Sequence, residues 1–404
     1  MALNWNVEPI QLTQLVEQVF VIEDMTYGGR QQGYLARYHG MLRSKDSEKS
    51  HTWLSKQLKP QSLLVILKPY EEKQELVIVP TLPAKQDPKI WLNVLLFALT
   101  FLSVLFAGAL FSAEVDPFLG RLTLQGIFNF LWQGWPFAVS FLAILAAHEF
   151  GHYFVGRLHK VNVSLPFFIP FPLSMIGTMG AFINMKEPPK NRKHLLDIGI
   201  AGPLSGLVVT IVVLFIGLSL SSVEPIPSTI PEGMTFQIEG NSLFYLFAKY
   251  LAFGKLLPEP VSYMETPALL YWLRYFFTGQ PAPLGGLDVI IHPVAWAGWA
   301  GLLVTMLNLI PAGQLDGGHV LYVLFGVKKA RKILPFIMLA LVALGFIWSG
   351  WWLWVGMIFL FGSRYAEPLD QITPLDTRRK ALAALTLVIF LLIFMPVPFV
   401  IVGG

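Results

Sequence analysis

The sequence predicts a mainly α-helical, polytopic membrane bundle of about seven spans, one of them broken, with a re-entrant loop and a small N-terminal α+β soluble domain. Three observations carry that prediction. Hydrophobic residues make up 54% of the 404 and charged residues only 13%, where soluble globular chains carry about 25% charge; mean hydropathy is +0.59. Apolar stretches long enough to cross about 30 Å of hydrocarbon recur through most of the chain. Lysine and arginine gather in alternate connecting segments, as the orientation rule for membrane proteins requires. The net charge of +4 is spread over several loops, so no basic stripe exists to bind nucleic acid. With no cysteine, disulfides, cysteine metal sites and thiol nucleophiles are excluded. Any bound metal must be held by His, Asp or Glu.

Residues 1–90 read as the soluble domain, with 11 Lys/Arg against 10 Asp/Glu. Strand-like runs fall at Val19–Ile22, Leu63–Lys68 and Glu75–Pro80, and a helix at His51–Leu58. The N-terminus lacks the layout of a signal or transit peptide, so the first span is expected to act as an uncleaved insertion signal, which favours a bacterial origin. Residues 91–404 read as the membrane-embedded part. Its spans are Trp91–Ala113, Pro136–Leu158, Leu196–Leu220, Val294–Phe325, Ile333–Trp348, Trp351–Gly362 and Ala381–Val402. The segments 157–195, 326–332 and 363–380 hold 6, 4 and 4 basic residues, against 1 and 3 in 114–135 and 221–293. This alternation puts the N-terminal domain in the cytoplasm and the C-terminus outside, in a plasma or thylakoid membrane. The pieces Ser242–Leu257 and Ala268–Phe277 look amphipathic and interfacial.

The second span reads PFAVSFLAILAAHEFGHYFVGRL. His148 and His152, at i and i+4, share one helical face and can reach a common zinc ion, and Glu149 beside them is placed as a general base. Ionisable residues inside a span are expensive, so three within five positions mark a functional site. A catalytic zinc takes three protein ligands and one open position. His159 is one residue too far along for an extended zincin motif, with Gly156 displaced by one, and it abuts Lys160 at a helix end.

Asp316 is the better third ligand. The stretch 294–325 would run about 48 Å as a straight helix, well beyond the membrane core. Pro311, Gly313, Gly317 and Gly318 give it reason to break. Irregular backbone at membrane depth is tolerated where it lines a polar cavity or is buried in protein. His148 lies about 15 Å from the inner end of its span, so the ligands can meet in the cytoplasmic half of the bilayer. The alternative is that Asp316 only caps the following helix.

Between these motifs, Leu165–Met185 holds Pro166, Pro170 and Pro172, which preclude an ordinary helix. It reads as a re-entrant β-loop whose edge could pair with an extended substrate, with Gly177 and Gly180 allowing close backbone approach. An apolar interfacial loop is the plainer alternative. Gly202 and Gly206 place small residues at i and i+4 for close helix packing. Asp197 either caps its helix or pairs with Lys193, and His319 sits beside the metal site or is simply helical.

HExxH in one span, followed by Asn308-x-x-Pro311-x-x-x-x-Asp316-Gly317 in a later broken one, resembles the site-2 protease family of intramembrane zinc metalloproteases. The contexts AHEFGH and AGWAGLLVTMLNLIPAGQLDGGH resemble its cyanobacterial and plant-chloroplast branch. The resemblance covers roughly 136–325, the expected catalytic core; neither a PDZ module nor a CBS pair is apparent. It implies one zinc per chain held by His148, His152 and Asp316, with Glu149 polarising the attacking water. It also implies a place near the metal for Asn308, orienting substrate or the tetrahedral oxyanion. A buried Asn308 binding a freed helix carbonyl at the Pro311 break is the alternative. Zinc lowers the pKa of bound water towards about 7 and polarises the scissile carbonyl. The partners implied are membrane-anchored protein substrates in a lipid bilayer. A metal or proton transporter would need more acidic or histidine residues along the other spans. A catalytically inactive relative serving as membrane chaperone or scaffold would be expected to lose Glu149 or a ligand.

Overall fold

The computed structural model describes residues 8–29, 31–81, 89–112, 123–231, 235–263 and 266–403. The N-terminal α+β domain runs α1 (Pro9–Glu17), β1 (Phe20–Tyr27), β2 (Ala36–Leu42), α2 (Ser47–Leu58), β3 (Leu63–Tyr70) and β4 (Lys73–Pro80). The strands form one antiparallel sheet of order β1-β2-β4-β3. Alternation along β3 buries Leu63, Val65 and Leu67 against Leu12, Val16, Leu54 and Leu58 of the helices. Asp46 accepts from the Lys49 amide at 3.0 Å and starts α2, satisfying one of the unpaired first-turn donors. Strand β2 was not anticipated, because its run ARYHGML carries no β-branched residue.

Beyond this domain come α3 (Ile90–Ser112), α4 (Leu124–Gln133) and α5 (Trp135–Leu158), then the strands β5 (Phe167–Pro170) and β6 (Thr178–Phe182), then α6 (Arg192–Ser219). Among the described residues, α3, α5 and α6 are the helices long and apolar enough to cross a membrane. Next come β7 (Ser222–Pro225), β8 (Thr235–Glu239), α7 (Leu243–Phe253), α8 (Ala268–Thr278), β9 (Leu287–Ile290) and α9 (Pro293–Asn308). The chain closes with α10 (Asp316–Gly345), α11 (Trp351–Phe361), α12 (Thr377–Ile393) and β10 (Phe399–Gly403). Helices α5, α6 and α9 share a core that includes Phe137, Phe141, Leu214, Leu218, Trp299 and Leu302.

Three differences from the sequence reading have physical causes. The long segment 221–293 contributes to two-stranded ladders, β7 with β9 and β8 with β10, besides its two short helices. The last helix stops at Ile393 rather than continuing to Val402, because Pro396 and Pro398 cannot extend it; the residues beyond pair with β8 instead. The segment 326–332, read as a connection between two spans, is helical beyond Gly326, whose non-helical backbone kinks α10 at the expected end of the fourth span.

The N-terminal sheet does not end at β3. The Leu67 amide donates to the Leu369 carbonyl and the Gln371 amide to the Leu67 carbonyl, both at 2.8 Å. On its other side this segment donates from Leu369 to the Pro189 carbonyl at 2.9 Å and from Asp370 to the Lys190 carbonyl at 2.8 Å. The ladder thus runs from the N-terminal domain, through the α11–α12 connection, to the residue that caps α6.

Candidate metal centre

Helix α5 holds His148, Glu149 and His152 on a buried face, with relative exposures of 4%, 5% and 8%. The break expected in the fourth span is present: α9 ends at Asn308 and α10 restarts at Asp316. Gly317 is required there, since a Cβ on it would lie 2.0 Å from the Leu309 carbonyl oxygen. Asp316 is the first residue of α10, and Leu315 occupies the cap position, so its carboxylate is not used to cap the helix. It turns instead towards α5.

The His148 Nε2 and His152 Nε2 atoms are 3.2 Å apart. Asp316 Oδ2 lies 3.3 Å from the first and 3.5 Å from the second. Tetrahedral zinc with ligands at about 2.0–2.1 Å separates its donor atoms by about 3.3–3.4 Å. The three atoms are therefore spaced as one face of that tetrahedron, and this is the metal-capable cluster among the described residues. His152 Nδ1 is 2.7 Å from the Ile198 carbonyl, which places a proton on Nδ1 and leaves the Nε2 lone pair facing the other two ligand atoms. Such a second hydrogen bond fixes a metal-bound imidazole and raises its basicity. Two nitrogens and a carboxylate oxygen converging in a buried place suit a divalent cation.

Helix α6 supplies the floor. A Cβ at Gly202 would lie 2.0 Å from His152 Nε2, and one at Gly206 would lie 3.0 Å from His148 Cβ. The i, i+4 glycines, read from sequence as packing alone, are the surface on which both imidazoles rest. Ser205 Oγ reaches the Ala147 carbonyl at 2.7 Å, and a Cβ on Gly151 would meet Ser205 Oγ at 2.1 Å. The small-residue spacing was the visible signal for this contact; the Ile198 carbonyl gave none.

The remaining candidates separate. Asn308 is half-buried at the end of α9. Glu149 has no hydrogen-bond partner among the described residues, so its carboxylate is not committed to a structural contact. His159 caps α5 and pairs with Asp197 at 3.0 Å, away from the cluster. Asp197 takes Arg379 as its partner, at 2.8 and 2.6 Å, rather than Lys193. His319 is buried against Gly199. The segment read as a β-loop is a hairpin, β5 with β6. Gly177 is pressed against α3, its φ +76° and its carbonyl accepting from Ser103 Oγ at 2.5 Å. Gly180 has φ +99° and open space where a side chain would be.

Comparison with known proteins agrees with this geometry. Residues 136–346, just over half of the chain, match the model of Peptidase family M50. The chain is 30% identical to "Probable zinc metalloprotease EGY1, chloroplastic" of Arabidopsis thaliana, over 68% of this chain and 45% of that protein. It is 28% identical to "Probable zinc metalloprotease EGY2, chloroplastic" of the same plant, over 91% of this chain and 61% of the relative. The EGY1 protein of Oryza sativa subsp. japonica is 32% identical over 68% and 42%. The chain thus matches about two-fifths to three-fifths of the length of these relatives. No solved structure matches. Through that match, which encloses the triad brought together by α5 and α10, the chain belongs to peptidase family M50, the site-2 protease family.

Proposed function

We propose that the chain is an intramembrane zinc metalloprotease that hydrolyses peptide bonds within or near the transmembrane segments of membrane-anchored protein substrates. The observation that carries this is the face of three donor atoms, 3.2–3.5 Å apart, two of them on a helix long and apolar enough to cross a bilayer. His148, His152 and Asp316 would hold one zinc ion per chain. When bound, zinc acidifies water and polarises a carbonyl. Glu149 takes the proton from the attacking water and returns it to the leaving amine. Asn308 orients the substrate carbonyl from the edge of the break at residues 309–315. We read residues 91–404 as one membrane-embedded unit of seven spans, in a plasma or thylakoid membrane, with the 1–90 domain on the cytoplasmic face. The basic segments 157–195, 326–332 and 363–380 support that orientation.

A spanning substrate helix has its carbonyls paired and must unwind before hydrolysis. The β5–β6 hairpin belongs to a two-stranded sheet, so its outer edges can receive an extended peptide. Open space at Gly180 supports that role, whereas Gly177 serves by seating the hairpin on α3. Valine at Gly180 is β-branched at a positive φ and fills the open space. It is expected to lower cleavage on the order of 10²-fold, as a small misplacement of substrate does, with zinc content unchanged. Wild-type turnover in that variant would remove the hairpin from the substrate path.

The direct test uses the full chain in liposomes with a spanning model peptide, before and after treatment with a zinc chelator. Cleavage should disappear on chelation, return with zinc, and map by mass spectrometry to the apolar part of the peptide. Undiminished cleavage by metal-free protein would refute the assignment.

A further inference from the structure

We propose that the N-terminal domain is a positioning element for the metal centre, acting through the first turns of α6. The inference rests on the metal-binding reading of His148, His152 and Asp316. Its starting point is the continuous ladder from Leu67 through Asp370 to Asn191, in which Leu67 and Asn191 flank Asp370 as parallel bridge partners. Ile372, just past that rung, packs on the core of the N-terminal domain, and Ser47 Oγ meets Thr373 Oγ1 at 3.0 Å. Asp370 is 1% exposed, and its Oδ1 accepts from the Ile372 and Thr373 amides at 2.9 and 3.0 Å. This rung is therefore fixed on both sides.

Asn191 connects the rung to the helix. Its Oδ1 accepts from the His194 amide at 3.0 Å and caps α6, while its Nδ2 donates to Glu48 Oε1 at 3.0 Å. Glu48 Oε2 also takes Lys193 Nζ at 2.6 Å, and that ammonium holds the Glu48 carboxyl below its usual range. One residue of the N-terminal domain thus holds both the cap and the first turn of α6. A turn further on, Asp197 joins Arg379 of α12 to His159 at the end of α5. The next carbonyl, Ile198, receives His152 Nδ1. Arg192 in the same first turn reaches the Val323 carbonyl of α10, the helix that begins with Asp316.

From Asn191 to Ile198 is about 10 Å of helix. A helix is stiff over that length, so moving its first turn moves the carbonyl that orients His152 and the glycine beneath it. Loss of such outer contacts typically costs about 10- to 100-fold in metal affinity. The seam itself is polar and incompletely filled: a cavity of about 120 Å³ is lined by Glu48, His51, Thr52, Lys190, Asn191 and His194.

The test uses the full-length protein and two metal readouts. Glu48→Lys, Lys193→Glu and the double swap are compared with wild type for zinc affinity by chelator competition and for the visible spectrum of the cobalt-loaded protein. Each single reversal should weaken zinc binding about 3- to 5-fold, the scale of a partly exposed ion pair, and shift the cobalt bands; the swap, which re-forms the ion pair but not the bond from Asn191 Nδ2, should recover both in part. Identical affinity and spectra in all four proteins would overturn the inference while leaving the metal centre standing, as would singles that weaken binding with no recovery in the swap. A wild-type protein that takes up neither zinc nor cobalt would overturn the metal-centre reading, and this inference with it.

Discussion

Glutamine at position 149 is expected to lower turnover about 10²- to 10⁴-fold while the protein keeps its zinc. The substitution preserves shape and removes only the group that accepts a proton. Glu149 is 5% exposed, beside His148 on the same buried face, and the three donor atoms belong to other residues. Metal content should therefore stay near that of wild type. A positioned general base contributes about 10²- to 10⁴-fold in rate, so cleavage of a spanning peptide should fall by that factor. Turnover and zinc per chain, measured on the same preparation, decide the matter. Activity within a few-fold of wild type would remove Glu149 from the chemistry, whereas loss of zinc would make it a structural support of the site.

Alanine at Gly202 should do the opposite, stripping the metal first and the activity as a result. The added methyl would lie 2.0 Å from His152 Nε2, 2.3 Å from Cδ2 and 2.5 Å from Cε1. The ring cannot slide along its own plane to escape, because Nδ1 is held by the Ile198 carbonyl. Either that hydrogen bond breaks or α5 and α6 separate, and both move the ligand atom. Zinc affinity should drop about 10- to 100-fold or more. Gly206→Ala, whose Cβ would stand 3.0 Å from His148 Cβ, should be milder, and Gly356→Ala, with nothing within 4 Å, should be neutral. Chelator competition across the three variants reads the series. Equal zinc affinity in Gly202→Ala and Gly356→Ala would show that α6 is not the floor of the site.

The clustering of His148, His152 and Asp316 could be read from the chain because each clue was local or a matter of membrane cost. Two histidines at i and i+4 share a face wherever a helix forms, and a carboxylate in an apolar stretch needs a partner. The break before Asp316 followed from length and from Pro311. What escaped was set by distant backbone. Strand β2 has weak strand chemistry and forms because β1 and β4 flank it. Asp197 was matched to Lys193 through proximity in sequence, but its partner is Arg379, 182 residues away. The hydrogen bond from His152 to a main-chain carbonyl leaves no trace in residue identity. Gly177 and Gly180 were read together, although one is packed on α3 and the other faces open space.

The rung at Leu67 also bears on how the N-terminal domain can be handled by itself. A fragment cut before the first membrane helix would keep the four strands and lose residues 369–372. It would then present an unpaired Leu67 edge beside the apolar socket that Ile372 occupies in the intact chain. An open strand next to exposed hydrophobic surface is the template on which sheets of separate molecules join. Such a fragment should cluster in solution, and a synthetic peptide spanning 367–374 should keep it dispersed.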